Sequence, residues 1–327
     1  MAAVSSSASY LRPERMNEER EPPSVLEPLE DHPKYQKIRD LDKGTFGFVQ
    51  LAVDLTTGEQ VAIKFIERSQ EVSKYVEREI LNHKRLIHPH IVQLKEVFLT
   101  NNHLAIAMEY AAGGNLYQLV ARSGGLPEPD ARWYFQQLIF AIDYCHKMGV
   151  ANRDVKLENT LLVSSARPLI KLCDFGYSKD EKFQSAPGSK VGTPAYLAPE
   201  VISTTRGRTY DGKAADVWSC GVMLYVMLSA QYPFGRPEDT NLKLARQMHN
   251  MLQRILSVDY QLPYNKQVSA ECRDLLQRIL VADPTKRITM ADIQRHPWFT
   301  RDLPEGVAQM NDQLLAQQQH MMAHGGF

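Results

Sequence analysis

Alternating apolar and polar residues mark the chain from residue 35 to about residue 110. Short stretches of this kind, bounded by turn residues, are typical of half-buried β-strands. The residues 56–59, Thr-Thr-Gly-Glu, predict a turn, and the charged stretch Glu71–Leu86 predicts a helix. The predicted strands are Tyr35–Leu41, Phe48–Asp54, Gln60–Glu67, Ile91–Leu99 and Leu104–Tyr110.

The apolar pattern changes to a helical period after residues 111–114, Ala-Ala-Gly-Gly. Val217–Leu228 predicts a buried helix, and Cys272–Val281 and Met290–His296 predict further helices. One buried helix face is predicted by residues that recur at spacings of three and four: Ala131, Phe135, Leu138, Ile142 and Cys145. The pattern therefore predicts an α+β fold in which a small strand-rich part with one helix precedes a larger helical part.

The two ends of the chain lack such patterns. Residues 1–30 are rich in Ser, Glu and Pro without periodicity, which predicts a disordered leader. Residues 300–327, a tail rich in Gln, Met and His, give no clear fold signal. We find no internal repeat.

Composition excludes some classes of function. Lys and Arg number 38 and Asp and Glu number 38, so the chain of 327 residues has no formal net charge and no electrostatic reason to bind nucleic acid or an anionic membrane. No apolar run reaches the roughly 20 residues of a membrane helix. The four cysteines form no C-x-x-C pattern, which favours reduced thiols in a cytoplasmic or nuclear protein.

Two features of the strand-rich part suit phosphate binding. Gly44 and Gly47 lie between the first two strands, where glycine lets the backbone approach phosphates; an ordinary tight turn is the alternative. Lys64 ends the third strand, and Glu79 on the following helix is a suitable partner for its ammonium group. The alternative for Lys64 is a strand-end lysine whose charge reaches solvent.

The most informative stretch is residues 152–159, Asn-Arg-Asp-Val-Lys-Leu-Glu-Asn, which follows a predicted buried helix. Asp154 can orient an attacking hydroxyl and Lys156 can neutralise a γ-phosphate. Asn159 can bind Mg²⁺ through its side-chain oxygen, and Asp174, in Asp-Phe-Gly, offers a second oxygen ligand. A solvated charged loop is the alternative for either stretch alone, but the two together in this order disfavour it.

In the order of these motifs, residues 35–299 resemble a eukaryotic protein kinase. The ordered set comprises a Gly-rich loop, V-A-I-K, a helix Glu, R-D-x-K-x-x-N, D-F-G and A-P-E. The resemblance implies a bilobal protein-kinase fold, with an antiparallel-sheet N-lobe at about 35–110 and a mainly helical C-lobe at about 115–299. It also implies ATP and Mg²⁺ as cofactors and transfer of the γ-phosphoryl group to protein serine or threonine.

The resemblance implies a role for each matching residue. Asp154, Lys156, Lys64 and Glu79 would be catalytic, with Asp154 as base and Lys64 paired to Glu79. Asn159 and Asp174 would bind the metal. Further family correspondences pair Glu200 with Arg287 and make Asp216 the anchor of the catalytic loop. The residues expected to bind the nucleotide are Gly44, Gly47, Val49, Ala62, Lys64, Glu109, Tyr110, Asn159 and Asp174.

A closer resemblance is to the plant sucrose-non-fermenting-related kinases of subclass two. It rests on residues 157–162, 173–179, 210–213 and 255–258. It implies a role in osmotic or nutrient stress signalling, with an upstream activating kinase and a phosphatase as partners. It also implies a preference for substrates with a basic residue, which Glu158 would bind. The matching regulatory residues are Ser185, Ser189 and Thr193.

Four departures from the family pattern affect these expectations. Asp42 replaces the first glycine of the Gly-rich loop, Asn152 replaces the usual histidine before Arg-Asp, and Asn115 replaces an acid after Gly-Gly. The long acidic C-terminal region of the plant kinases is absent from this sequence. Asp42 and Asn152 motivate an alternative function, a pseudokinase or scaffold that binds nucleotide with little turnover. A sugar or small-molecule kinase is disfavoured by the complete activation segment.

Overall fold

A computed structural model describes residues 27–44, 47–68, 74–163, 168–174, 194–204, 210–261 and 268–323. These residues form two compact units. The first unit takes in the residues up to Leu86 together with Val92–Ala112, and the second takes in Ile87–Ile91 and the residues from Gly113 onward. Within the described residues, the first unit holds an antiparallel sheet and one helix and the second is mainly helical, which confirms the predicted α+β class.

The first unit is built on a five-stranded sheet in the order β1-β2-β3-β5-β4, antiparallel throughout. Helix α1 (Lys74–Lys84) lies between β3 and β4 in the chain. The strands are β1 (Tyr35–Gly44), β2 (Gly47–Asp54), β3 (Gln60–Glu67), β4 (Leu94–Leu99) and β5 (His103–Glu109). The alternation in β3 turns Val61, Ile63 and Phe65 into the core and leaves the intervening residues on the other face.

The chain packs against this sheet before β1 begins. Leu29 is 6% exposed and belongs to the same core cluster as Tyr35. Lys37 Nζ donates to the Glu27 carboxylate at 2.6 Å, which fixes the backbone on the other side of Leu29. Residues 27 and 29 thus contact the first unit ahead of β1, a feature without a periodic signal in the sequence, because a single apolar residue in a Pro- and Glu-rich stretch produces none.

The second unit contains nine helices and two short strands among the described residues. Its strands are β6 (Thr160–Leu162) and β7 (Ile170–Leu172), which pair antiparallel. Its helices are α2 (Leu116–Ser123), α3 (Glu128–Lys147), α4 (Pro199–Ser203), α5 (Gly212–Ser229), α6 (Leu244–Ser257), α7 (Ala270–Ile279), α8 (Met290–Arg295), α9 (Pro297–Thr300) and α10 (Met310–Ala323). None of the described helices combines the length and the apolarity needed to cross a bilayer.

Helices α3 and α5 form the centre of the second unit, and both were predicted from their buried faces. Helix α5 begins five residues before the predicted Val217, because Asp211 caps it by accepting the Lys213 N–H at 2.9 Å. Gly221 lets α7 approach α5 closely, since a Cβ there would lie 2.3 Å from Ile279 Cγ2. This core fixes α5 relative to the loop that follows α3.

Helix α10 lies in the tail for which the sequence gives no fold signal. Polar contacts join it to α3: Asn311 Nδ2 donates to Phe140 O at 2.9 Å and to Asp143 Oδ2 at 2.8 Å. Tyr144 donates from its hydroxyl to Gln318 Oε1 at 2.9 Å. A helix that is buried through amides shows no apolar stripe, which explains why hydrophobic periodicity does not predict it.

Candidate active site

The loop after α3 turns sharply at Arg153, whose φ is 62°. For a residue with a Cβ this left-handed conformation costs about 1–2 kcal/mol, so it needs support from its surroundings. The support comes from Asp216 on α5: Oδ2 accepts the Asn152 N–H at 2.9 Å and Oδ1 accepts the Arg153 N–H at 2.8 Å. Asp216 is only 1% exposed, so water does not compete for these bonds. The predicted anchoring of this loop by Asp216 is confirmed.

The turn presents the Asp154 carboxylate to two neighbours on the same loop. Lys156 Nζ lies 3.0 Å from Asp154 Oδ2, and Asn159 Nδ2 donates to the same oxygen at 2.7 Å. Asn159 Nδ2 also lies 3.1 Å from the Asp154 carbonyl oxygen. A carboxylate held in this way has a defined orientation and can accept a hydrogen bond from a hydroxyl group. The structure thus brings together the three residues predicted to carry the chemistry on this loop.

The predicted metal ligands Asn159 and Asp174 flank the two-stranded sheet at the same end. Thr160 of β6 pairs with Leu172 of β7, and the Cys173 N–H donates to Asn159 O at 2.9 Å. Asn159 gives its side-chain N–H to Asp154, so its side-chain oxygen is the atom suited to a cation. Two oxygen-bearing side chains fit Mg²⁺, which takes its remaining ligands from water and phosphate. Among the described residues no group of three or more His, Cys, Asp or Glu side chains forms a self-sufficient metal site.

Glu158 is a half-buried residue on the same loop, between Lys156 and Asn159. The hydroxyls of Tyr196 and Tyr232 lie 3.5 Å from its two oxygens. A tyrosine hydroxyl is neutral, so neither of these partners offers a positive charge. Burial raises the pKa of Glu158 above its usual value. A carboxylate that is desolvated but poorly compensated gains stability from an incoming cation.

In the first unit, three of the predicted nucleotide-binding side chains, those of Val49, Ala62 and Lys64, share one face of the sheet. Val49 pairs with Lys64, and Ala62 pairs with Met108. Residues directly opposite each other in an antiparallel pair project to the same side. This face is the reverse of the one that carries the core cluster. The sheet therefore groups two small apolar side chains with a lysine, as an adenine ring and phosphates require.

Gly44 and Gly47 pair at the end of β1 and β2. Gly47 has a φ of 151°, and a Cβ there would lie 1.9 Å from Phe65 O, so only glycine fits. Asp42, at the family's first glycine position, pairs with Val49 beyond an irregularity in β1. Its Oδ1 accepts the Lys43 N–H at 2.8 Å.

Glu109 and Tyr110 lie at the end of β5. The Glu109 N–H donates to Gln93 O at 2.9 Å, and the Tyr110 hydroxyl accepts from Arg39 at 3.2 Å. These contacts fix the chain where the sheet ends. Their predicted contact with adenine stays a prediction.

Four predicted site residues have side chains outside the part of the chain that the structure describes. Glu79 lies in α1, but its side chain falls outside the described residues, so its pairing with Lys64 stays a prediction. Ser185, Ser189 and Thr193 also lie outside the described residues.

Sequence reasoning predicted one long-range ion pair and missed other contacts. The predicted pair is confirmed, since Arg287 donates to both Glu200 oxygens at 2.7 and 2.8 Å. The missed contacts are the Tyr232 hydroxyl on Glu158 and His146, whose Nε2 lies 2.8 Å from Asp216 Oδ2. These partners are 70 or more residues apart, a separation that leaves no local pattern.

Comparison with known proteins gives a consistent result. A family model described as protein kinase domain matches residues 35–299. Serine/threonine-protein kinase SRK2A of Physcomitrium patens is 50% identical over 284 residues, which cover 87% of this chain and 79% of that protein. Serine/threonine-protein kinase SAPK1 of Oryza sativa subsp. japonica is 52% identical over 271 residues, 83% of this chain and 77% of that protein. Serine/threonine-protein kinase SRK2H of Arabidopsis thaliana is 51% identical over 272 residues, 83% of this chain and 73% of that protein.

Proposed function

Because the chain belongs to the protein kinase family, as a relative of serine/threonine-protein kinases from plants, we propose that it transfers the ATP γ-phosphoryl group to serine or threonine of protein substrates. The observation that carries this proposal is the orientation of the Asp154 carboxylate by Lys156 and Asn159. Phosphoryl transfer needs positioning and charge neutralisation more than covalent chemistry, and this loop supplies both.

Each residue has a task in the proposed reaction. Asp154 accepts the hydrogen bond of the substrate hydroxyl and orients its oxygen for in-line attack. Lys156 places a positive charge beside the transferred group. Lys64, from β3, binds the α- and β-phosphates. Mg²⁺ neutralises phosphate charge when it is bound, and Asn159 and Asp174 are the residues that would hold it.

Glu158 supports a preference for substrates with a basic residue. Its carboxylate is half-buried beside two tyrosine hydroxyls, and a lysine or arginine side chain of the substrate would add a positive charge beside it. Asn115 cannot contribute a second charge, because its amide is neutral; its side chain accepts the Gln118 N–H at 2.9 Å and caps α2. We therefore propose that recognition of the basic residue depends on Glu158.

Regulation and cellular context complete the proposal. Phosphorylation of Ser185 or Ser189 by an upstream kinase would add negative charge that Arg153 can receive, and a phosphatase would reverse it. Thr193 belongs to the same regulatory segment. The proposed context is osmotic or nutrient stress signalling in the cytoplasm or nucleus. The four unlinked cysteine thiols support this location.

The pseudokinase alternative has less support. Asp42 and Asn152 motivated it, yet Asp42 is accommodated in a paired strand and Asn152 in a hydrogen-bonded turn. Asp154, Asn159 and Asp174 are all retained.

The test is transfer of phosphate from Mg·ATP to a serine peptide with an upstream arginine. We expect transfer by the wild-type protein and a loss of at least 100-fold in Asp154→Asn, which keeps the shape but removes the charge. Asp312→Asn is the matched control, because that carboxylate is 75% exposed and lies on α10. Nucleotide binding without transfer by the wild-type protein, also after treatment with an activating kinase, would favour the scaffold function instead.

A further inference from the structure

Asn152 is bonded through both its side chain and its backbone. Its Oδ1 accepts the backbone N–H of Asp154 at 3.1 Å, and its own N–H donates to Asp216. The residue is 6% exposed. A side-chain oxygen that accepts the N–H two residues further on closes an Asx turn, which tolerates unusual backbone angles nearby.

Three consecutive backbone amides in this turn therefore donate to two side chains. Asp216 accepts from Asn152 and Arg153, and Asn152 accepts from Asp154. The first two bonds support the left-handed Arg153. The third bond, from the Asp154 N–H to Asn152 Oδ1, fixes the backbone of the residue whose carboxylate is proposed to orient the substrate. The backbone of Asp154 is thus fixed from the α3 side by Asn152 and from the other side by Asn159.

The same chain shows that a histidine can close such a turn. In three histidines, Nδ1 accepts the backbone N–H of the residue two positions further on. The distances are 3.2 Å for His32, 3.0 Å for His88 and 3.2 Å for His296. In both side chains the accepting atom is bonded to Cγ, so Asn Oδ1 and His Nδ1 have similar reach. Asparagine at position 152 can therefore hold the Asp154 amide as a neutral histidine would.

We propose that Asn152 is a positioning residue for phosphoryl transfer, whose side-chain oxygen holds the backbone of Asp154 in the geometry that its carboxylate needs. This inference rests on the proposed function. The side chain does not touch substrate and acts only through Asp154. Its loss should lower kcat and leave the KM for Mg·ATP and for peptide nearly unchanged, because the groups proposed to bind both remain in place.

The experiment compares three substitutions of Asn152. Asn152→Leu has a similar size but no acceptor, Asn152→Ala removes the acceptor with less strain, and Asn152→His offers Nδ1. For Leu and Ala we expect kcat to fall about tenfold with each KM within about twofold, since one buried hydrogen bond of roughly 1.4 kcal/mol corresponds to a factor of ten. For His at pH 8, where the ring is neutral, we expect kcat within about threefold of the wild-type value.

Asn311→Leu is the matched control. Asn311 is also buried and hydrogen-bonded, but it joins α10 to α3 away from the loop. We expect it to lower the thermal unfolding midpoint as Asn152→Leu does while kcat stays within twofold. A wild-type kcat in both Asn152→Leu and Asn152→Ala, or a His variant as slow as Leu, would overturn the proposal.

Hydrogen exchange of the Asp154 amide separates this proposal from the proposed function. We expect slow exchange in the wild-type protein and at least tenfold faster exchange in Asn152→Leu and Asn152→Ala. If the wild-type protein transferred no phosphate but showed this difference, only the proposed function would fail. Equal exchange in wild type and both variants would overturn the role of Asn152 whether or not the protein is active.

Discussion

Two carboxylates in the second unit, Asp216 and Glu128, gather hydrogen-bond donors from distant parts of the chain. Asp216 accepts from His146 and from two amides of the loop that carries Asp154. Glu128 accepts the Ser269 N–H at 2.8 Å and the Trp298 Nε1–H at 2.7 Å. The two side chains use the same physical device on different targets. Asp216 fixes a loop with proposed chemistry, whereas Glu128 fixes the start of α7 and the position of α9.

The electrostatic surroundings of the two carboxylates also differ. Glu128 has a cation close by, since Arg132 lies 3.4 Å away, and its side chain is 14% exposed. Asp216 is deeper, and its charge adds to the effect of burial in raising the pKa of the Cys145 thiol. A buried carboxylate that is compensated mainly by hydrogen bonds leaves its donors unsatisfied when it is removed. The segment that a buried carboxylate holds, more than the type of bond, therefore decides whether activity or stability depends on its charge.

Among the carboxylates compared here, the largest expected effect is that of Asp216→Asn on kcat. The amide keeps the volume but presents an N–H₂ group where the carboxylate accepts backbone N–H groups, so the turn at Arg153 loses a bond. We expect kcat to fall by about 100-fold, as a misplaced catalytic group does. Steady-state kinetics with Mg·ATP and an arginine-containing peptide measure it. A kcat within threefold of the wild-type value in correctly folded protein would contradict the proposed anchoring role.

Most of the fold was accessible from hydrophobic periodicity. Strands such as β3 (Gln60–Glu67) were predicted at their observed bounds, because their alternation follows the two faces of a sheet. Segments that are held by one apolar side chain or by polar contacts were not accessible. Leu29 before β1 and Asn311 on α10 contact the rest of the fold in ways that give no period in the sequence.

The candidate site divides in the same way. Asp154, Lys156 and Asn159 lie within six residues, so a local motif could predict their grouping. His146 and Tyr232 reach the site from distant segments, and only the packing of α3 and α5 and of the loop after α5 brings them there. The orientation of Asn152 was also inaccessible, since the identity of a residue does not show which amide its side chain accepts.

Glu128→Gln should sharpen the comparison by affecting stability and not kcat. The glutamine side chain has only one oxygen that can accept hydrogen bonds. Either the Ser269 N–H or the Trp298 Nε1–H therefore loses its acceptor. We expect the free energy of unfolding to fall by about 2 kcal/mol, the order of one unsatisfied buried donor. Thermal or urea unfolding measures this change, and kcat at a temperature well below the midpoint should stay within twofold. A tenfold fall in kcat would remove the distinction between the two carboxylates.

The same variant has a predicted dependence on pH. Burial opposes ionisation of Glu128, but the hydrogen bonds from Ser269 and Trp298 and the charge of Arg132 lower its pKa below the ordinary value of 4.5. The folded state therefore binds fewer protons than the unfolded state in this range, so the carboxylate stabilises the fold fully above pH 4.5 and less as pH falls through the lowered pKa. The difference in stability between wild type and Glu128→Gln should shrink below pH 4.5.

A third carboxylate, Glu158, differs from both because its two tyrosine contacts are long. We expect Glu158→Gln to raise the KM for an arginine-containing peptide about tenfold, with little change for a peptide that lacks the arginine, since a charged hydrogen bond contributes about 1.5–3 kcal/mol. Glu271→Gln, on the exposed surface of α7, is the control. An equal rise in KM for both peptides would mean that Glu158 supports the loop and does not read the basic residue.

The smallest expected effect concerns His88, whose ring joins α10 to the rest of the second unit. Nδ1 accepts the His90 N–H at 3.0 Å, so the ring proton is on Nε2, which donates to Asn311 Oδ1 at 3.1 Å. Burial, with smaller effects from the neighbouring His90 and Lys171, lowers the pKa of His88 to about 3. Protonation of the ring would place a hydrogen on Nδ1. This hydrogen would face the His90 N–H and break that hydrogen bond.

The sign of the pH effect follows from this lowered pKa. The unfolded chain takes up a proton near pH 6.5 and the folded chain does not, so the contribution of His88 to stability is complete above pH 6.5 and declines as pH falls toward the folded value. Between pH 7 and pH 6 the loss is about 0.7 kcal/mol for one such group. We expect the unfolding free energy of wild type to fall by this much more than that of His88→Gln, whose side chain cannot titrate. His249→Gln, on the exposed face of α6, should behave as wild type. If His88→Gln lost as much stability as wild type over this interval, the buried ring would not be the titrating group, and the tail helix would be held independently of pH.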